Sequence, residues 1–260
     1  MAGPSAGAGT AGDDPSPMDL YLAPHSDDIA FSLGALAHRR RAGTLLTILP
    51  RTGYVPTLPG QARPPVEQVT RMRMAEDARF AAASDLGLRF LDLACASALG
   101  HRSRDLGWVE QNTARIEPAL MQALSGRGVR DAAGRRPWLF CPSGIGGHVD
   151  HVAIRLVVTR HRDVLGADFR LGFYEDLHYA SDPAARWAGI AALMREWPGL
   201  PLRRHALPLR DGAARKLALI RLYESQLPEP PHSIGRFTPA AESTPEPHEA
   251  IWTAEPNAPA

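Results

Sequence analysis

The sequence predicts an α/β fold built on a mostly parallel, doubly wound sheet. Two observations carry this. Short apolar runs of strand length alternate with longer segments of helical pattern, in the order βαβαβαβαβαβα. The chain has 260 residues, 44% hydrophobic and 22% charged, which suits one globular domain with a full core and tails at both ends.

The elements follow in order. Leu20–Ala23 reads as the first strand and Ile29–Arg41 as the helix after it. Leu45–Leu49 is the second strand. Val66–Leu86 is the second helix: Val66, Val69, Met72, Arg73 and Glu76 set a period near 3.6, and Gly87 is expected to end it as the residue past its C-cap. Phe90–Leu93 and Trp138–Cys141 are the next strands, with the helix Trp108–Leu124 between them. The helix Val152–Leu165 follows, then the strand Leu171–Tyr174, the helix Ala184–Arg195, the strand His205–Leu209 and the helix Gly212–Ser225. Residues 1–17 are mostly Gly, Ala, Ser, Pro and Asp and read as a disordered tail. Residues 228–260 are rich in proline, which excludes long helices, and read as extended or loosely docked, with Ile251 and Trp252 as docking candidates. The domain proper is expected over 18–227.

Composition excludes several classes of function. A net charge of +1 does not suit a polybasic nucleic-acid binder. No stretch approaches the roughly 20 apolar residues of a membrane span. Residues 1–17 lack the basic and apolar regions of a signal peptide, so a soluble, cytoplasmic protein is expected. Cys95 and Cys141 match no zinc-finger spacing and read as free thiols in a reducing compartment.

In doubly wound folds ligands sit beyond the carboxyl ends of the strands. Two polar clusters lie there. Pro24-His25-Ser26-Asp27-Asp28 follows the first strand, and the glycine-rich turn 142–147 leads into His148-Val149-Asp150-His151 after Trp138–Cys141. Helix capping would account for one aspartate in each cluster but not for both sets. A catalytic zinc takes three protein ligands and keeps a fourth position open, and two imidazoles with a carboxylate suit it. The remaining Asp and His can serve as base and acid. The turn glycines let the backbone approach a substrate closely. A nucleotide site is disfavoured, because the first turn carries His and Asp in place of Gly-x-Gly-x-x-Gly.

With these motifs the chain resembles the LmbE/PIG-L family of zinc-dependent de-N-acetylases. Arg73-Met74-Ala75-Glu76, Tyr174-Glu175-Asp176-Leu177-His178-Tyr179 and the stretch from Lys216 to Tyr223-Glu224-Ser225-Gln226 extend the likeness over roughly 18–227. The resemblance implies a single Rossmann-like domain. It also implies zinc, or another divalent ion, on His25, Asp28 and His151. Asp27 would be the general base, and His148 the acid or a cationic stabiliser of the oxyanion, oriented by Asp150. Arg73 would help bind substrate. The implied activity is removal of an N-acetyl or other N-acyl group from an amino sugar, glycoside or related small metabolite. An amidase of a thiol-sugar or secondary-metabolite conjugate and a catalytically silent metal-dependent binding protein stay open, as does homo-oligomerisation.

Three departures from the family pattern stand out. Ser26 replaces a proline, Ile29 an acidic residue, and Gly146 a tyrosine that some relatives place two residues before the first histidine of the second motif. His178 is a further candidate for the pocket. Glu175 and Asp176 follow a strand, where they could bind substrate hydroxyls, support a ligand histidine or form a salt bridge.

Overall fold

A computed structural model describes residues 18–56, 62–199, 201–227, 229–240 and 246–259. The expected tail 1–17 lies outside the described residues.

The strands β1 (Leu20–Ala23), β2 (Thr44–Thr47), β3 (Gly87–Phe90), β4 (Trp138–Pro142), β5 (Arg170–Tyr174), β6 (Arg203–Pro208) and β7 (His248–Thr253) form one sheet in the order β3-β2-β1-β4-β5-β7-β6. β1 to β5 pair in parallel, and β7 runs antiparallel between β5 and β6. The helices are α1 (Asp28–Arg40), α2 (Val66–Ser84), α3 (Val109–Leu124), α4 (Val149–Arg160), α5 (Arg162–Asp168), α6 (Pro183–Glu196) and α7 (Ala213–Ile220). The sheet is thus the doubly wound, Rossmann-like one expected. β1, β2 and β4 are buried throughout because they lie inside the sheet under helices on both faces. Tyr21 stacks on Phe140 across the β1–β4 pair, with centroids 4.9 Å apart.

Three sequence expectations need correction. The segment 228–260, expected to be extended or loosely docked outside the domain, contributes β7, an interior strand buried along its whole length. Its Glu249 explains why it is anchored. α1 breaks at Leu33 (φ −127°, ψ 21°), and both oxygens of Glu249 accept from the freed N–H groups of Ala35 and Leu36 at 2.8 Å. Lys216 of α7 pairs with the same carboxylate at 2.9 Å and donates to the Ser32 carbonyl. Second, Asp85 takes the left-handed cap after α2, and Gly87 opens β3 instead. Third, the expected helix 152–165 is two helices that part at His161.

The strand order reverses direction between β1 and β4. α1 follows β1 and α4 follows β4, so both polar clusters sit at the crevice where ligands of such sheets bind. Among the described residues, no helix is long and apolar enough to cross a membrane.

Candidate metal centre

The loop after β1 is tightly held. The His25 backbone N–H donates to the Asp28 carboxylate at 2.8 Å, which closes the loop onto the first residue of α1. Asp27 takes φ 113°, a conformation costly for a residue with a Cβ. α2 holds the loop in place from behind. Arg73, only 3% exposed, donates to the Ser26 carbonyl and lies 3.1 Å from Asp27 Oδ1. Ser26 Oγ donates to Asp77 at 2.8 Å, so the serine that departs from the family pattern gains a buried tether.

The turn after β4 uses left-handed glycines at Gly144, Gly146 and Gly147 to bring the chain back over the sheet edge. The Ile145 N–H donates to Asp176, and the Ser143 carbonyl accepts from Arg155. His148 is the N-cap of α4, and its Nδ1 accepts from the Asp150 N–H at 3.3 Å.

His25, Asp28 and His151 converge, with donor atoms all within 4.8 Å of one another. Asp28 Oδ2 stands 3.5 Å from His25 Nδ1 and 3.5 Å from His151 Nε2. Ligands about 2.1 Å from a tetrahedral ion lie about 3.4 Å apart, so this spacing fits one. The far nitrogen of each imidazole is bound to a carboxylate. His25 Nε2 meets Asp150 Oδ2 at 2.8 Å, and His151 Nδ1 meets Asp176 Oδ1 at 2.7 Å. Such partners set the tautomer and the ring angle of a metal-binding histidine. His25, His148 and Asp150 form a second close group, but its shortest separation is this hydrogen bond, which leaves no room for an ion between His25 and Asp150.

The electrostatics separate the two aspartates. Burial raises the Asp27 carboxyl to about 7; Arg73 opposes this, and Asp28 adds to it. Asp28 is also buried, but His151 and His25 hold it well below the usual carboxylate range. Burial lowers His148 to about 3, helped by His25 and His151, so it is neutral at ordinary pH. Its Nδ1 is an acceptor, so the ring proton sits on Nε2. In that state His148 can donate through Nε2–H.

Several expected site residues have other duties. Asp150 Oδ2 is 3.9 Å from His148 Nδ1 and instead binds His25; its other contacts are the Ala96 N–H and Asn112 Nδ2. Glu175, expected to bind substrate, is buried among Arg186, Arg204 and the Trp252 indole, each within 2.9 Å. Its neighbour Asp176 instead meets His151 Nδ1 at 2.7 Å. Arg73 is 3% exposed and donates to the Ser26 carbonyl, so it holds the loop from within. The Gly146 carbonyl accepts from Arg104 Nε at 3.1 Å, and the Tyr179 ring covers its Cα. His178 sits exposed beside Tyr179, with ring centroids 4.7 Å apart. Asn112 was not singled out in the sequence, since an Asn inside a helix carries no signal of its own. Trp108 is buried and stacks on His101, with ring centroids 3.9 Å apart.

The mostly parallel sheet carries this three-residue centre at its switch point. No family model matches the sequence. A 2'-N-acetylparomamine deacetylase of Streptomyces fradiae is 30% identical over 193 residues, covering 70% of this chain and 63% of that protein. The A40926 pseudoaglycone deacetylase structure aligns with a TM-score of 0.62 at 18% identity, over 91% of this chain and 96% of that one. A zinc-inhibited form of teicoplanin deacetylase aligns at 0.61 and 15% identity, over 90% and 96%. By these comparisons the chain has the fold of the LmbE/PIG-L-like deacetylases.

Proposed function

We propose that the protein is a metal-dependent de-N-acetylase that releases acetate from an N-acetylated amino sugar carried on a small molecule. The observation that carries this reading is the pairing of a His25/Asp28/His151 ligand set with an adjacent carboxylate, Asp27, that is not drawn into it. A pure binding site would not need Asp27. The sequence likeness to a 2'-N-acetylparomamine deacetylase supports the substrate class.

His25 Nδ1, an Asp28 oxygen and His151 Nε2 would hold the ion, with zinc the first choice for two imidazoles and a carboxylate. When bound, the ion supplies Lewis-acid polarisation and makes water a better nucleophile near neutral pH. Asp27 accepts a proton from the attacking water as its oxygen bonds to the acetyl carbon. Arg73 fixes that carboxylate in place from behind. His148, through Nε2–H, donates to the oxygen on which charge develops. The C–N bond breaks as the proton held by Asp27 passes to the nitrogen, the free amine leaves, and the acetic acid formed loses its remaining proton to solvent as acetate.

The test measures bound metal by elemental analysis and acetate release from a panel of N-acetylated amino sugars, 2'-N-acetylparomamine among them. Acetate should appear, stop after chelation and return with zinc. Release of a longer acid would move the reading to an amidase on the same scaffold. Absence of both metal and release would overturn it.

A further inference from the structure

We propose that the Tyr179 hydroxyl donates a hydrogen bond to the acetyl oxygen of the bound substrate, and to the oxyanion formed from it. This rests on the deacetylase reading above.

The placement of the ring is the first observation. Tyr179 opens the short turn Tyr179–Ser181, just after Asp176, and the Ala180 N–H donates to the Asp176 carbonyl at 2.8 Å. Asp176 in turn binds His151 at 2.7 Å, so the turn is tied to the ligand set. The Tyr179 ring lies edge-on to His151, with centroids 6.4 Å apart.

The second observation is the bare Cα beneath it. A Cβ on Gly146 would lie 2.5 Å from Tyr179 Cγ and 2.6 Å from Cδ1. The absence of a side chain at Gly146 is therefore what admits the phenol ring. With φ +86° at Gly146, the turn and the ring position each require glycine there.

The third is chemical. The ring packs on Gly146, two residues before His148, and meets His151, so it borders the centre. The ring is partly buried, and its hydroxyl bonds to none of the described residues and is open to solvent, where a ligand can reach it. An ordinary phenol keeps its proton at neutral pH and so remains a donor. The phenol would add a second donor to the developing oxyanion beside His148 Nε2–H.

The test compares wild type with Tyr179→Phe, which keeps the ring over Gly146 and removes only the hydroxyl. With 2'-N-acetylparomamine, kcat should fall ~10²-fold or more with KM within about threefold. Metal content should not change. By calorimetry, affinity for the methylphosphonamidate analogue of the same amine, a mimic of the tetrahedral anion, should fall by a similar factor. Unchanged kcat, a loss confined to KM, or equal phosphonamidate affinity would overturn the proposal. If wild type cleaves none of the N-acetylated panel, the deacetylase reading itself falls and this inference falls with it.

Discussion

Arg73 Nη2 lies 3.1 Å from Asp27 Oδ1, and both groups are nearly sealed from solvent. The guanidinium comes from α2, two elements away, and also binds the Ser26 carbonyl. It therefore sets both the backbone and the carboxylate of the loop. Asp27→Ala should keep its metal, since Asp27 is not among the three converging donors, and should lose ~10²–10⁴ in turnover. Elemental analysis and acetate release on one preparation check this, and full activity would remove Asp27 as the base. Arg73→Met should also lower kcat, while leaving the metal in place.

Two carboxylates stand behind the ligand histidines. Asp150 binds His25 and Asp176 binds His151, at 2.8 and 2.7 Å. Asp150→Asn and Asp176→Asn should each weaken metal affinity about 10–100-fold. Competition with a chelator of known affinity measures this. Asp150→Asn should be no milder than Asp176→Asn, because Asp150 also receives the Ala96 N–H and Asn112. An Asp150 variant with wild-type metal affinity would mean that the bond to His25 does not orient it.

That the two His–Asp clusters share one crevice was legible in the sequence, because each follows the carboxyl end of a strand; the particular trio His25, Asp28 and His151 came from the family resemblance. Topology alone brings such positions together. The partners behind them were not legible. Which histidine Asp150 supports depends on where α4 begins and how its first turn is rotated, and the structure turns it to His25. Glu175 and Asp176 are adjacent, but one reaches Arg186 and Arg204 and the other reaches His151. Neighbouring residues leaving a strand face opposite sides, and the sequence does not say which side is the site. β7 escaped because prolines surround it and its anchors are distant: Glu249 binds α1, and Trp252 binds Glu175.

Those anchors predict stability. Lys216 and Glu249 are 0% and 1% exposed and 2.9 Å apart. Removing one partner of a buried pair typically costs about 3–5 kcal/mol. Lys216→Met should fall in that range. Glu249→Leu should cost more, because it also strands the Ala35 and Leu36 N–H groups at the break in α1. Denaturant unfolding of both variants gives the comparison. A loss below about 1 kcal/mol in both would show that this pair does not fasten β7 to the helices.

Asp77 predicts a pH dependence. Burial raises its carboxyl from 3.8 to about 6, against the pull of hydroxyls from Thr47, Ser26 and Tyr223 and the charge of Arg73. A raised folded value means the native state holds this proton more tightly than the unfolded chain does. Below about pH 4 both states are protonated, and Asp77 contributes no slope. As pH rises toward 6 the unfolded chain ionises first, and stability falls by about 3 kcal/mol at 1.36 kcal/mol per unit. Above 6 the contribution is flat. Asp77→Asn removes this titration whatever it does to absolute stability, because Asn carries no proton to release. Unfolding free energies of the metal-loaded proteins at pH 4, 5, 6 and 7 should therefore show wild type losing ground to the variant between 4 and 6 and holding a constant offset beyond. A constant offset over the whole range would place the folded Asp77 near its ordinary value.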